Sequence, residues 1–169
     1  MADARIEHVI FSSEETFWKI FFDPEFNQKL FMEVLQFDAW KVASQDETAT
    51  GIERVVEAVP KTPDLPGPLK KLVEGGISYR ERASFDRAKK RMTVAVETGV
   101  LPGKLSVTGV IHTEPAGDGK CKRIYDSTVV AKVFGVGGMI ESRILADVKA
   151  SYDKAAEFTN QWIKEKGLK

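Results

Sequence analysis

The sequence has little of the residue types on which most metal proteins and hydrolases depend. It contains one cysteine, Cys121, and two histidines, His8 and His112. One cysteine excludes a disulfide within the chain, and isolated histidines do not make a metal-binding pattern. The motifs HExxH, CxxC and GxSxG do not occur. Lysines beside Cys121 would lower the pKa of its thiol, but we expect a thiol without a catalytic role. We therefore expect no catalytic residues, metal or cofactor. The shortage of residues that could act together in catalysis argues against an enzyme.

Net charge and long apolar runs are also lacking. Lysine plus arginine and aspartate plus glutamate each total 25, so the formal net charge is zero and nothing draws the chain as a whole to nucleic acid. No apolar run approaches the roughly 20 residues that cross a bilayer, and the N-terminal stretch lacks the apolar core of a signal peptide. We expect a single domain over residues 1–169, located in the cytoplasm, with no stable membrane insertion.

Hydrophobic periodicity predicts a strand, two short helices, six further strands and one long helix. Ser12 followed by Glu15 predicts a capping box at the first helix, and Asp23 followed by Pro24 predicts the start of the second. Short turns separate the last four strands, and strands joined this tightly are antiparallel. The predicted strands are Ala4–Phe11, Leu35–Ser44, Ile52–Val59, Ile77–Asp86, Arg91–Gly99, Lys104–Glu114 and Lys122–Phe134.

The last predicted helix is the longest, running from about Gly138 to Glu165, with Gly167 at its end. Its apolar residues form one stripe, which implies a sheet or groove beneath it. Between the third and fourth strands, a segment with four of the seven prolines predicts a loop containing one short helix, Pro68–Val73. A six-strand meander and one long helix bury each other only if the sheet curls around the helix.

Three glycines precede this helix, Gly135, Gly137 and Gly138, and they raise the question of a phosphate site. A phosphate-binding glycine loop lies between a parallel strand and a crossover helix that returns to the sheet. Here the preceding strand is part of an antiparallel meander, and no strand follows the helix. We therefore interpret the glycines as a tight strand-to-helix turn, for which their tolerance of positive φ is sufficient.

The same turn carries a resemblance to a known family. VVAKVFGVGGMIESRI, residues Val129–Ile144, resembles the last strand, glycine turn and helix of the START-like (SRPBCC, helix-grip) superfamily, and within it a bacterial family of uncharacterised function. FFDPEFNQKL, residues Phe21–Leu30, is similar to the helix pair that follows strand one in these proteins. The resemblance covers essentially the whole chain and implies an α+β helix-grip fold: a curved antiparallel β-sheet of about seven strands wrapped around a long C-terminal α-helix, with two short helices after strand one.

The resemblance also implies an elongated apolar cavity between the concave sheet and the C-terminal helix. Superfamily members related to birch-pollen allergen and polyketide cyclases bind lipids, sterols, quinones or polyketides there, or assist a partner protein. We accordingly expect binding or transport of a hydrophobic small molecule. Two alternatives stay open: an enzyme of the polyketide cyclase/aromatase type that uses a cavity carboxylate such as Glu81, and a module that binds a protein partner without a ligand.

Alternation along the strands suggests which residues would line such a cavity. Tyr79 and Glu81 share one face of ISYRERASF with three apolar residues, so they would be polar groups in an apolar space. A carboxylate there needs a partner, a raised pKa or a ligand, unless Glu81 pairs with an arginine at the rim. Gly109 and Ala131 are small enough to leave space. Each candidate is equally consistent with packed core. The candidate ligand-binding residues are Tyr79, Glu81, Met92, Val94, Val96, Leu105, Val107, Ile111, Val129, Ala131, Ile140, Ile144 and Val148.

Overall fold

The computed structural model describes residues 1–62, 64–74 and 76–169. The strands are β1 (Ala2–Ile10), β2 (Ala39–Glu47), β3 (Gly51–Val59), β4 (Tyr79–Asp86), β5 (Arg91–Thr98), β6 (Leu105–Pro115) and β7 (Cys121–Ala131). The helices are α1 (Glu14–Phe21), α2 (Pro24–Gln28) followed by a π-helical turn (Lys29–Val34), α3 (Gly67–Lys70) followed by a 3-10 turn (Lys71–Val73), and α4 (Gly137–Lys166). The predicted order of elements is confirmed.

The seven strands form one antiparallel sheet in the order β1-β7-β6-β5-β4-β3-β2. Strands β2 to β7 are a meander of neighbours, and β1 lies beside β7, with Ile6 opposite Tyr125. The short turns between the other neighbours of the meander are too short for a parallel crossover, and β3 and β4 pair antiparallel across the longer segment that contains α3. The predicted α+β helix-grip class, with two short helices after strand one and a long C-terminal helix, is therefore confirmed.

The helix starts agree with the sequence signals in one case and differ in the other. Asp23 caps α2, its carboxylate accepting a hydrogen bond from the Phe26 backbone N–H at 2.9 Å. The predicted capping residue of α1 is wrong by one position: the Ser13 hydroxyl accepts from the Thr16 backbone N–H at 3.2 Å. Ser12 is fully buried, and its hydroxyl donates to the Ser13 carbonyl instead.

Strand β2 begins later than the predicted Leu35–Ser44. The helical chain continues through the π-helical turn as far as Val34, and Gln36 then adopts a positive φ of 55°, so the extended backbone begins only at Ala39. β2 is an edge strand with most of its side chains exposed. Because neither of its faces is buried, its hydrophobic pattern defines its ends poorly.

The turn into α4 explains why the last strand ends three residues earlier than predicted. The strand ends at Ala131, and Gly135 adopts a φ of 81°, which is strained for any residue with a Cβ. The Gly137 backbone N–H donates to the Val133 carbonyl at 2.9 Å, which closes the turn. A Cβ on Gly137 would lie 2.5 Å from the Ala131 carbonyl oxygen. Both glycines are therefore required by the turn, which supports its interpretation as a hinge without a phosphate.

Helix α4 packs on β1 and β7 at one edge of the sheet rather than on the central strands. A large apolar cluster, which includes Phe17, Trp18 and Trp162, joins α1 and α2 to the C-terminal half of α4. A smaller cluster around Leu69 and Ile140 joins α3 to the start of α4. None of the helices formed by the described residues is both long and apolar enough to cross a membrane. With α4 placed to one side, the concave faces of the central strands border open space.

We expect Gly135→Ala to lower the free energy of unfolding by about 1 kcal/mol, because alanine is strained at this positive φ. Gly138→Ala is the matched control, since it lies in the first turn of α4 with nothing within 4 Å of an added Cβ. There, alanine should be neutral or stabilise by up to about 1 kcal/mol. Urea denaturation measures both variants, and equal destabilisation would contradict the role assigned to Gly135.

Candidate functional site

A cavity of about 640 Å³ lies between the concave face of the sheet and α4. The central strands, α4, the two N-terminal helices and the segment around α3 all contribute to its wall. Its mouth is bordered by exposed residues of the segment before α3, such as Lys61 and Asp64, and by Asp147 and Lys154 of α4. Arg143 of α4 donates a hydrogen bond to the Asp64 carbonyl at 3.2 Å and so links the two sides of the mouth.

Ten of the thirteen candidate residues border this cavity, and three do not. Val94, Val129 and Ala131 are buried in packed core instead. Ala131 belongs to the small cluster under the start of α4, and Val129 lies on β7, the strand that α4 covers. The space above Gly109, opposite Val94, is taken by the Tyr125 ring, which a Cβ on Gly109 would strike. The residues that do border the cavity are Tyr79, Glu81, Met92, Val96, Leu105, Val107, Ile111, Ile140, Ile144 and Val148.

Glu81 is the carboxylate inside the cavity, and an arginine is its nearest cation. Its Oε1 lies 3.9 Å from Nη2 of Arg54, which is too long for a hydrogen bond. Arg54 is only 4% exposed, so the pair lies in the interior and not at the rim. Glu81 keeps 23% of its side chain accessible, and this surface borders the cavity. Burial raises the pKa of Glu81, and the opposing effect of Arg54 is smaller.

Arg54 is a buried cation with few partners. Within the described part of the chain, its Nε and Nη1 have no hydrogen-bond partner. Its guanidinium carbon lies 5.2 Å from the ring centres of both Phe21 and Phe22, which gives some cation–π stabilisation. Burial lowers the pKa of Arg54, although a guanidinium stays charged at any physiological pH. The fold therefore maintains a positive charge at the cavity wall that the described residues only partly compensate.

Arg123 is a second buried arginine on the cavity wall, with neutral partners. Its Nη2 donates to the His8 Nδ1 and to the Tyr152 carbonyl, each at 2.9 Å. Because a guanidinium cannot accept a hydrogen bond, His8 Nδ1 must be unprotonated, and Nε2–H donates to Asp153 at 2.7 Å. Burial lowers the pKa of His8, which favours this neutral form. Arg123 thus makes no direct contact with a carboxylate.

Three tyrosines complete the polar part of the wall. The rings of Tyr125 and Tyr152 stack with their centres 4.4 Å apart and 7° between their planes, and Tyr79 lies two residues before Glu81 on the same face. Burial raises the pKa of each phenol, so all three remain uncharged. The side chains of Tyr79 and Tyr152 both border the cavity.

The two arginines are the site residues that sequence reasoning missed. The signal was present, because Arg54 lies in the apolar phase of its strand, between Ile52 and Val56. Arg123 likewise shares the inward-facing phase of β7 with Tyr125. A charged residue at a position where the alternation requires an apolar one indicates a buried charge, and both arginines meet this criterion.

Cys121 and the histidines show no arrangement for chemistry. Cys121 is fully buried, and burial raises the pKa of its thiol to about 11, so the neighbouring lysines do not activate it. Over residues 1–62, 64–74 and 76–169, no group of three or more His, Cys, Asp or Glu side chains is placed to hold a metal ion.

Removing Arg54 should make stability more sensitive to pH. In Arg54→Met, Glu81 loses the cation that lowers its pKa, so its pKa rises further above the ordinary value of 4.5. A carboxyl group whose pKa is raised on folding favours the folded state below its unfolded pKa, and this contribution is lost as pH rises toward the folded pKa. We expect the unfolding free energy of Arg54→Met to fall more steeply than that of the wild type between about pH 5 and pH 8, as measured by urea denaturation.

The control for this experiment is the double variant Arg54→Met/Glu81→Gln, which has no carboxyl group to titrate at this position. Its stability should have a flatter pH profile than that of Arg54→Met. Identical profiles for the single and double variants would show that Glu81 is not the titrating group.

Solved structures with the same fold include proteins of very different sequence. TTHA0849 from Thermus thermophilus has a TM-score of 0.67 at 13% identity, with 95% of each chain covered. The Zhui aromatase/cyclase from Streptomyces sp. R1128 has a TM-score of 0.64 at 9% identity, covering 96% of this chain and 94% of that one. Norcoclaurine synthase from Thalictrum flavum, in complex with dopamine and hydroxybenzaldehyde, has a TM-score of 0.64 at 15% identity, covering 96% and 87%. At these identities, the similarity establishes the fold alone.

Sequence comparisons support a family assignment. Comparison with curated proteins found no match. Residues 6–163 match the model of a family described as a protein of unknown function, DUF2505. The match spans nearly all of the helix-grip fold, from β1 to the last turns of α4, and the chain belongs to the DUF2505 family.

Proposed function

We propose that the protein binds and carries a hydrophobic small molecule in the cavity between the sheet and α4. The observation that carries this proposal is the cavity itself, whose volume of about 640 Å³ is in the range of small-molecule sites. Its wall is mainly apolar and aromatic, with a few polar groups on one side. This combination of an apolar body and a few fixed polar groups is typical of ligand pockets.

Aromatic side chains near the mouth provide flat apolar surface for such a ligand. Phe31 and Trp40 stack with ring centres 4.6 Å apart and 4° between their planes, and Phe37 meets Phe31 edge-on at 5.3 Å. All three border the cavity. Transfer of apolar ligand surface from water to this wall is favourable by about 25 cal/mol per Å². Lipid-like, sterol-like, quinone and polyketide-like compounds are all consistent with such a wall.

The ligand would enter between α4 and the segment that precedes α3. Arg143 links these two elements through its hydrogen bond to the Asp64 carbonyl, and its Nε–H, shared between the two carboxylate oxygens of Asp147 at 3.1 Å, holds its guanidinium in place. A single hydrogen bond at the surface contributes little, so the mouth can open without disturbing the sheet. We propose that the whole chain acts as one such binding domain, in the cytoplasm, with the small molecule as its main partner.

A second candidate function is an enzyme of the aromatase/cyclase type, with Glu81 as its proton donor or acceptor. The observation in its favour is that Glu81 has a raised pKa and borders the cavity beside Tyr79. If the protein is such an enzyme, the Glu81→Gln variant should still bind the ligand but should no longer convert it. The third possibility, a protein-binding module without a ligand, is less favoured because a filled cavity would support it and this cavity is open.

Filling the cavity tests the proposed function. We expect the wild type to bind one equivalent of N-phenyl-1-naphthylamine, a neutral probe that fluoresces in apolar surroundings. Val96 borders the cavity, so Val96→Trp should weaken this binding by at least about tenfold because the indole occupies the probe's space. Fluorescence titration measures the affinity, and circular dichroism confirms that the variant is folded.

Ala95→Trp is the matched control, because Ala95 is the preceding residue of β5, exposed on the opposite face of the sheet. It should bind the probe as the wild type does. If Val96→Trp also binds with wild-type affinity, the probe lies elsewhere and the cavity is not the binding site.

A further inference from the structure

The cavity wall has an excess of positive charge that the chain as a whole lacks. Eight charged residues border it, five cationic and three anionic, whereas the full sequence is neutral. In the interior of the cavity there are two cationic groups, the buried side chains of Arg54 and Arg123, and one carboxyl group, that of Glu81. The interior therefore carries one net positive charge when Glu81 is ionised and two when it is protonated. A cationic ligand is disfavoured in either case.

Arg54 is where this excess is least compensated. Arg123 has two good hydrogen bonds to neutral acceptors, whereas among the described residues the carboxylate paired with Arg54 is that of Glu81, at 3.9 Å. Nε and Nη1 of Arg54 have no partner within the part of the chain that the structure describes. A buried guanidinium with so few partners is costly, because burial removes its hydration and the contacts with Glu81, Phe21 and Phe22 replace it only in part. An oxyanion supplied by the ligand would replace it, and guanidinium–carboxylate contacts are among the strongest hydrogen bonds in proteins.

The groups around Arg54 are suited to an acid and poorly suited to a neutral apolar end. Glu81 borders the same space and is able to hold a proton there, in which form it donates a hydrogen bond to a ligand carboxylate. Tyr79 and Tyr152 are close enough to Arg54 to affect its pKa, and both border the cavity with a phenol hydroxyl that is able to donate a hydrogen bond.

We propose that the ligand is an amphipathic carboxylic acid whose carboxylate binds at Arg54, beside Glu81 and Tyr79, while its apolar body lies along the aromatic side of the cavity. This rests on the proposed function, because it names the ligand class of the same cavity. It goes further in assigning Arg54 as the specificity-determining residue, and Glu81 as the group whose negative charge limits the affinity.

The test compares two probes with the same apolar body, 11-(dansylamino)undecanoic acid and its methyl ester, by fluorescence titration at neutral pH. The wild type should bind the acid about tenfold or more tightly than the ester. Arg54→Met should bind both with similar affinity, at the level at which the wild type binds the ester. Its unchanged affinity for the ester also shows that the variant is folded. Glu81→Gln should bind the acid more tightly than the wild type, because a like charge has been removed.

The outcomes separate this proposal from the function on which it rests. If the wild type binds the ester as tightly as the acid, the acid preference is overturned and the hydrophobic carrier stands. If it binds neither probe, both fail. If Arg54→Met does not fold, the test uses Glu81→Gln only. Weaker binding of the acid by Glu81→Gln than by the wild type contradicts the proposal, and tighter binding supports it.

Discussion

The placement of α4 on one edge of the sheet is the constraint from which the rest of the molecule follows. Because α4 packs on β1 and β7, the concave faces of β3 to β6 are left for other elements to cover. The N-terminal helices and the segment around α3 cover the two ends, each with its own apolar cluster. Between these clusters the wall is apolar but unfilled, and the turn at Gly135 and Gly137 fixes where α4 begins. The cavity is thus a product of how the helix is attached to the sheet.

Several features of this interior work against maximal stability. A cavity forfeits packing contacts, and the two buried arginines with one carboxyl group forfeit hydration. Apolar residues of similar size at Arg54 and Glu81 would pack without these penalties. Departures of this kind from a well-packed apolar core concentrate at functional sites, where a ligand supplies the missing interactions. The same reasoning applies to Arg54, Arg123 and Glu81, which lie inside the cavity, whereas the other five charged residues of its wall border the mouth.

The sequence was sufficient for the architecture, because the signals that specify it are local and strong. Alternation located the strands of the meander, and Asp23 and Gly167 marked helix ends correctly. Errors occurred where the local signal was ambiguous. Ser12 and Ser13 are both competent caps, and only burial of Ser12 decides between them. The start of β2 depends on a π-helical turn, which has no clear sequence signature.

The site was predictable in part, for a different reason. Strand phase put Tyr79 and Glu81 on one face, and both border the cavity, but phase alone does not distinguish a wall that is packed from one that is open. Val129 faces inward like Val107, yet α4 covers β7 and not the central strands, so only Val107 borders the cavity. Arg54 was visible as an exception to the apolar alternation, and such exceptions carry more information about function than the residues that obey the pattern.

Native mass spectrometry of the purified protein, followed by denaturing extraction, tests the central claim most directly. We predict one molecule bound per chain, at near-stoichiometric level, which on release is identified as an apolar carboxylic acid. Release of a neutral or cationic compound would contradict the assignment of Arg54 as the ligand's anchor. A protein that stays free of bound molecules after incubation with fatty and aromatic acids would contradict the carrier function itself.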